Sequence, residues 1–402
     1  MKHVSRILST YSADTFGVCS ALYELGGMVV IHDPSGCNST YTTHDEPRWF
    51  AEPSQIFVSA LTEQDAILGN DSKLIADITA AAKELRPRFI CLIPSQIAHM
   101  IATDCRAICR ILEKKTGIPA FTLPTNSMHY YERGIFFALQ KLAELACQAL
   151  PEAAAPRRLP EAKWLSEEEL HELRQGKGRA LRVNVLGATP LDFSLNGSIL
   201  SLRRWLETRG CHVASCWAMG SALDAILASH EADLDLVLSY GGLGAARVLR
   251  KRAGIPYRIG IPFPHCASSR GDAACPPEGP AYIIGETVFA ESLSRALEET
   301  TGQPFTAIVP METDDELLLP GTLCLTDEDE LSPVLREAAL IIADPLYQPI
   351  CPAGAAFLSL PHIAFSGRLY EKTIPNLIEE EAFTDFVQKV QKNLGKLPQN
   401  RV

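Results

Sequence analysis

The stretch Gly26-Gly27-Met28-Val29-Val30-Ile31-His32-Asp33-Pro34-Ser35-Gly36-Cys37-Asn38 decides how the chain is read. Two glycines end a helix, an apolar run of strand length follows, and a Pro-Ser-Gly turn presents one cysteine. A buried strand that stops there leaves Cys37 at its carboxyl end, the edge where open α/β sheets hold ligands. Upstream, residues 14–25 carry helical spacing, with Phe16, Cys19, Leu22 and Tyr23 on one face and Asp14 as N-cap.

Outward from this stretch the same grammar repeats. Ile56–Val58, Arg88–Pro94 and Ala120–Leu123 read as strands, with helices over 71–85 and 97–115 between them. A second run opens at Leu181–Gly187 and continues through strands at 212–216 and 235–239. A third opens at Ala281–Gly285, with later strands at 339–344 and 362–366. Three times a helix ends in Gly-x-Pro before an apolar strand, at Gly117, Gly254 and Gly302. The glycine caps the helix and the proline fixes the start of the strand. Alternating strands and helices predict an α/β protein of three Rossmann-like domains with mostly parallel sheets. The expected bounds are 1–149, 180–279 and 280–402, with residues 150–179 as a Pro-, Ala- and Glu-rich connector.

Composition narrows the function. Of 402 residues, 47% are hydrophobic and 21% charged, as in globular proteins with filled cores. The net charge of −11 speaks against a nucleic-acid partner, which needs a basic face. No apolar run approaches the ~20 residues that span a bilayer, and Met1–Arg6 lacks the apolar core of a secretion signal. We therefore expect a cytoplasmic protein with no membrane partner. Twelve cysteines in a reducing compartment are expected as thiols, most of them buried packing groups. No Cys-x-x-Cys pair points to a zinc ribbon or a ferredoxin run. No Gly-x-Gly-x-x-Gly follows a strand and no Walker loop is present, so a nucleotide cofactor is not indicated.

Several blocks together resemble the component-1 proteins of nitrogenase and of nitrogenase-like reductases. Pro34-Ser35-Gly36-Cys37 is similar to the loop that carries a cluster-ligating cysteine. Glu63-x-Asp65-x-x-x-Gly69 with Lys73-Leu74, Cys91-Leu92-Ile93-Pro94, Asn184–Gly187, Leu236–Tyr240 and Gly254–Tyr257 follow in the family's order. The departures are specific. The family's upstream cluster cysteine falls near Tyr11 and Ser12, so Cys19 is the nearest thiol. Its third ligand falls on Ile93, two positions after Cys91. The cysteine that holds the iron–molybdenum cofactor falls on Ser239, while the cofactor-side histidine matches His362.

The resemblance implies a compact nitrogenase-like protein rather than a nitrogen-fixing subunit. It implies an iron–sulfur cluster, of [4Fe-4S] type, held by Cys37, Cys91 and Cys19, and no iron–molybdenum cofactor. It implies a homodimer or a paralogous second subunit sharing that cluster, electrons from an ATPase like the nitrogenase iron protein, and a small-molecule substrate, a tetrapyrrole among the possibilities, between the domains. His362, His32 and Asp33 are the expected catalytic residues, as proton donors beside an electron donor. His44 and Arg48 are expected as exposed contacts, and His265 and Cys266 near the cavity mouth. The plainer readings stand beside these: a turn cysteine at 37, core cysteines at 19 and 91, and a strand-end histidine at 362. The alternative function is a non-catalytic carrier of a metallocluster or tetrapyrrole. A plain solute-binding protein is a third reading.

Overall fold

The computed structural model describes residues 5–8, 10–34, 38, 45–52, 55–150, 163–264 and 279–394. Three sheets organise these residues, and every pairing between their strands is parallel.

The first sheet has the order β2-β1-β3-β4, from β1 (Met28–His32), β2 (Ile56–Val58), β3 (Ile90–Pro94) and β4 (Ala120–Thr122). Around it run α1 (Asp14–Leu22), α2 (Glu63–Leu68), α3 (Ser72–Leu85), α4 (Gln96–Met100), α5 (Cys105–Thr116) and α6 (Tyr131–Ala146). Strand alternation sorts the two faces. Val29, Ile31, Cys91, Ile93 and Phe121 share one core with α1 and α6. Met28, Val30, Ile90 and Leu92 share a second with α3 and α5. The helix expected over 97–115 is two helices. Ala102 takes a left-handed φ of 55°, and Asp104 then caps α5 by accepting from the Ala107 amide at 2.9 Å. An N-cap carboxylate restarts a helix more readily than it sits inside one.

The second sheet is ordered β5-β9-β8-β6-β7, from β5 (Lys163–Trp164), β6 (Leu181–Leu186), β7 (Cys211–Cys216), β8 (Leu234–Val237) and β9 (Tyr257–Ile259). Its helices are α7 (Glu167–Lys177), α8 (Pro190–Phe193), α9 (Ser198–Thr208), α10 (Leu223–Leu227) and α11 (Tyr240–Ala253). The expected connector is in part structural. Lys163 and Trp164 pair with Arg258 and Ile259, and Leu170 of α7 is buried in the core. Residues 151–162 lie outside the described residues.

The third sheet is ordered β12-β11-β10-β13-β14, from β10 (Ala281–Ile284), β11 (Thr306–Val309), β12 (Leu323–Cys324), β13 (Leu340–Ala343) and β14 (Ala356–Ser359). With it go α12 (Thr287–Thr301), α13 (Glu328–Leu335), α14 (Ile363–Ser366) and α15 (Glu380–Leu394). Residues 362–366, expected as a strand, form instead the single turn α14, capped by His362. The three Gly-x-Pro glycines all cap helices in the left-handed region, at φ 71°, 75° and 72°.

One close approach fixes the packing of two helices within the first unit. A Cβ on Gly17 would lie 1.8 Å from the Tyr131 carbonyl oxygen, and a Cβ on Gly134 1.8 Å from that of Asp14. Only glycine lets α1 and α6 cross at that distance. The other flank of α6 packs on α11, which ties the first sheet to the second.

Candidate functional site

In each sheet the strand order reverses once: between β1 and β3, between β6 and β8, and between β10 and β13. Ligand crevices of open α/β sheets form outside the carboxyl ends of strands at such points.

At the first reversal, short hydrogen bonds lace the strand ends together. Ser95 Oγ donates to the His32 carbonyl at 3.0 Å, and the Asp33 amide donates to Ser59 Oγ at 3.1 Å. His32 Nδ1 lies 2.8 Å from Ser59 Oγ. Burial holds the His32 imidazole below its ordinary range, against the pull of Asp71, Asp33 and Asp65. Asp65 lies in α2 and Asp71 caps α3, and strand alternation puts His32 with Met28 and Val30, on the face away from Cys91. His32 and Asp33 are both buried and tie the turn together. Cys37 lies outside the described residues, as do His44, His265 and Cys266.

Cys19 and Cys91 are described, and both have zero exposure. Both belong to the apolar core between the first sheet and α1 and α6. Cys91 stands between Val29 and Phe121 in the sheet, about 10 Å short of the strand's carboxyl end. Burial pushes both thiols up, and for Cys91 the neighbouring thiols of Cys109, Cys19 and Cys105 add to this. A cluster ligand is a thiolate, favoured by nearby positive charge. The structure places both expected cluster ligands inside this apolar core rather than at the open edge of the sheet. Among the described residues no group of three or more His, Cys, Asp or Glu side chains is arranged to hold a metal ion.

The other two reversals face each other. Glu286, just after β10, accepts the Tyr240 amide at 2.8 Å and caps α12 through the Phe289 amide at 3.0 Å. Ser239, at the end of β8, is fully buried and donates to the Gly187 carbonyl after β6 at 2.9 Å. Beside these ends, where the chain leaves β6, β9, β10 and β14, lies a cavity of about 40 Å³, walled in part by Phe193, Phe263, Ile284, Phe289, Asp192 and His362. Its wall is mostly apolar, with polar side chains at Asp192, Asn196, Ser198 and His362.

The polar corner is assembled from distant parts of the chain. Asp192 Oδ1 accepts from the Tyr131 hydroxyl at 2.5 Å, and Oδ2 accepts from Thr189 at 3.2 Å. His362 Nε2 stands 3.5 Å from the same Oδ1 and makes no hydrogen bond among the described residues. Asp344, at the end of β13, fixes the histidine from behind. Its Oδ2 accepts from the His362 amide and from Ser366 Oγ, each at 2.8 Å. Next to Tyr131, both oxygens of the buried Glu132 lack a hydrogen-bond partner among the described residues. Burial, reinforced by the charge of Asp192, raises Glu132 well above the carboxylate range. The same two causes lift Glu286 to about 8. Of the three expected catalytic residues, only His362 reaches this corner. Asp192, Tyr131 and Glu132 carry no local signal in the sequence, because their pairing spans 61 residues and more.

Arg48 is a further correction. It is buried rather than exposed. It bonds Glu46 at 2.6 and 3.0 Å, Glu24 at 2.9 Å and the carbonyls of Ser20 and Ala218 at 2.9 and 2.8 Å. It is a latch between the first and second units. No helix among the described residues is long and apolar enough to cross a membrane.

Known proteins share this architecture. The family described as nitrogenase component 1 type oxidoreductase matches residues 15–270. The nitrogenase iron-molybdenum cofactor biosynthesis protein NifE of Clostridium pasteurianum is 28% identical over 233 residues, 57% of this chain and 44% of that protein. One subunit of the light-independent protochlorophyllide reductase of Prosthecochloris aestuarii is 26% identical over 239 residues, 58% of this chain and 39% of its own length. The matches thus span less than half of these curated relatives. The solved structure of nitrogenase Cp1 at pH 6.5 superposes with a TM-score of 0.66 over 98% of this chain and 94% of that one. At 13% identity that likeness speaks for the fold alone. The matched span takes in β1 to β9 and both crevices they form, and on it the chain belongs to the nitrogenase component 1 type oxidoreductase family.

Proposed function

We propose that the protein is a nitrogenase-like reductase component that reduces a small molecule in the cavity between its second and third sheets. The observation that carries this reading is the convergence of four strand ends, those of β6, β9, β10 and β14, on one apolar cavity with His362 and Asp192 in its wall. Reduction consumes protons as well as electrons. Glu286, lifted by burial to about 8, keeps a neutral acid near the cavity at neutral pH, and burial raises Glu132 as well. At about 40 Å³ the cavity as it stands is smaller than a tetrapyrrole, one of the expected substrates.

An iron–sulfur cluster supplies single electrons in such a component. Here the loop of Cys37 is the ligand candidate that remains, offered by each of two copies or by this chain and a paralogue, with an iron-protein-like ATPase as donor. The experiment is anaerobic purification with iron and sulfide assay and electron paramagnetic resonance after reduction, on the natural protein and on Cys37→Ser. Iron in the first and its loss in the second supports the reading. Iron-free natural protein overturns it.

The burial of Cys19 and Cys91 and the engaged hydroxyl of Ser239 favour a second reading, a carrier in cofactor assembly without turnover. Binding of a metallocluster with no reduction by a reduced iron-protein partner separates the two.

A further inference from the structure

β4 ends the first sheet, and among the described residues no strand pairs with its outer side. On its inner side the register runs from Ile90↔Ala120 to Leu92↔Thr122, and the Ile90 amide donates to the Pro119 carbonyl at 2.9 Å. Alternate residues of a ladder bond to opposite sides. Phe121 therefore serves β3, while the N–H and C=O of Ala120 and Thr122 point outward. Neither has a backbone partner there among the described residues.

Along this edge runs a groove of about 510 Å³, lined by every residue from Ala120 to Pro124, by Arg106 and Arg110 of α5, and by Phe137 and Lys141 of α6. Arg106 and Arg110 are exposed and have no hydrogen-bond or ion-pair partner among the described residues. Lys141 lies over the Phe121 ring at 5.9 Å and stands 3.5 Å from Glu144, the one carboxylate among the described lining residues. The chain carries a net −11, so a basic groove stands apart from the rest of it.

We infer that this groove docks an extended acidic segment of a partner protein, with carboxylates at alternate positions, as an added strand beside β4. The spacing selects that occupant. α5 lies on the crossover between the parallel strands β3 and β4, so it runs back alongside them. Arg106 and Arg110 stand about 6 Å apart along its axis. Alternate residues of a strand share one face and are about 6.6 Å apart. Carboxylates at such positions meet both guanidiniums at once, while the segment's backbone pairs with Ala120 and Thr122. A small anion uses the arginines alone and leaves the strand edge unused. Pro119 and Pro124 have no N–H to give and close the slot at both ends, so it takes about four or five residues. The groove shares no lining residue with the cavity between the second and third sheets, and its docking role is independent of the reductase reading.

The test is fluorescence anisotropy of the full chain with the labelled peptide Thr-Glu-Thr-Glu-Thr-Glu-Thr as probe, paired with hydrogen-exchange mass spectrometry. The expected result is saturable binding and slowed exchange over residues 120–123. Arg106→Glu and Arg110→Glu, at exposed positions that leave the circular dichroism melt unchanged, each weaken binding by about tenfold or more. The same peptide N-methylated along its backbone keeps its charge, loses its ladder donors and is weakened by a similar factor. Absence of saturable binding, equal binding by the natural protein and both variants, or binding indifferent to N-methylation overturns the inference. A dimer of the chain in which residues 120–123 are already protected and closed to the peptide assigns the edge to a second copy, and overturns it as well.

Discussion

Gly17 and Gly134 lie where α1 crosses α6, each against a backbone carbonyl of the other helix, Tyr131 and Asp14 respectively. A Cβ on either falls 1.8 Å from a backbone oxygen, which no rotamer change relieves. Overpacking typically costs about 1–3 kcal/mol when side chains can shift. For Gly134→Ala we expect a loss at or above the upper end of that range, read as a lowered denaturation midpoint. Gly176 is the control. It lies in α7 with nothing within 4 Å of an added Cβ, so Gly176→Ala is expected to stabilise by about 0.5–1 kcal/mol. Equal effects at the two sites contradict the close crossing.

The first and second units are held to each other by charge. Arg48 and Glu46 are 3% and 0% exposed, and the guanidinium also reaches the Ala218 carbonyl of the second unit. Removing one partner of a buried pair leaves the other desolvated, at a cost of about 3–5 kcal/mol. Arg48→Met is therefore expected to lower stability by that amount in urea titration, with no change in metal content. A loss under about 1 kcal/mol, the range of exposed pairs, marks Arg48 as the surface contact its sequence context suggests.

The cysteines divide by role. Cys91→Ala trims a thiol from a filled core, and we expect a loss of roughly 1–2 kcal/mol with the iron per chain unchanged after anaerobic purification. Cys91→Ser places a hydroxyl where the thiol packs among Val29, Phe121 and their neighbours, and is expected to be worse by about 1 kcal/mol or more. Iron loss in either variant, with the fold retained, returns Cys91 to the ligand set.

Local demands are what a chain displays along its length. The strands at 28–32, 90–94 and 281–284 are legible because a short apolar run between turn residues has few other solutions. The Gly-x-Pro caps are legible because a left-handed residue and a fixed φ are set within a few positions. His362 reads as strand because Ile363-Ala364-Phe365 is apolar either way, and its cap is made by an imidazole, outside the usual Ser, Thr, Asp and Asn. The break before α5 has a local signal in Asp104 that helical spacing on both sides conceals. Pairing of Lys163-Trp164 with β9, and of Tyr131 with Asp192, depends on distant partners and leaves no periodic trace.

Buried acids make stability depend on pH. Burial raises Glu132 and Asp235 well above their ordinary values of 4.5 and 3.8, and lifts Glu286 to about 8. In the unfolded chain these acids ionise near their ordinary values, while in the folded protein they stay protonated to higher pH. Between the two pKa values the folded state binds more protons, so stability is fully present below about pH 4 and falls as pH rises through the folded values. Each such group adds a slope of at most about 1.4 kcal/mol per pH unit. Glu132→Gln replaces the acid by a group that never charges. Its stability, measured by denaturant titration from about pH 5 to 8, is expected to fall less steeply than that of the natural protein, so that the two curves diverge in the variant's favour as pH rises. Parallel curves mean that Glu132 is ionised in the folded state and that a partner meets its carboxylate.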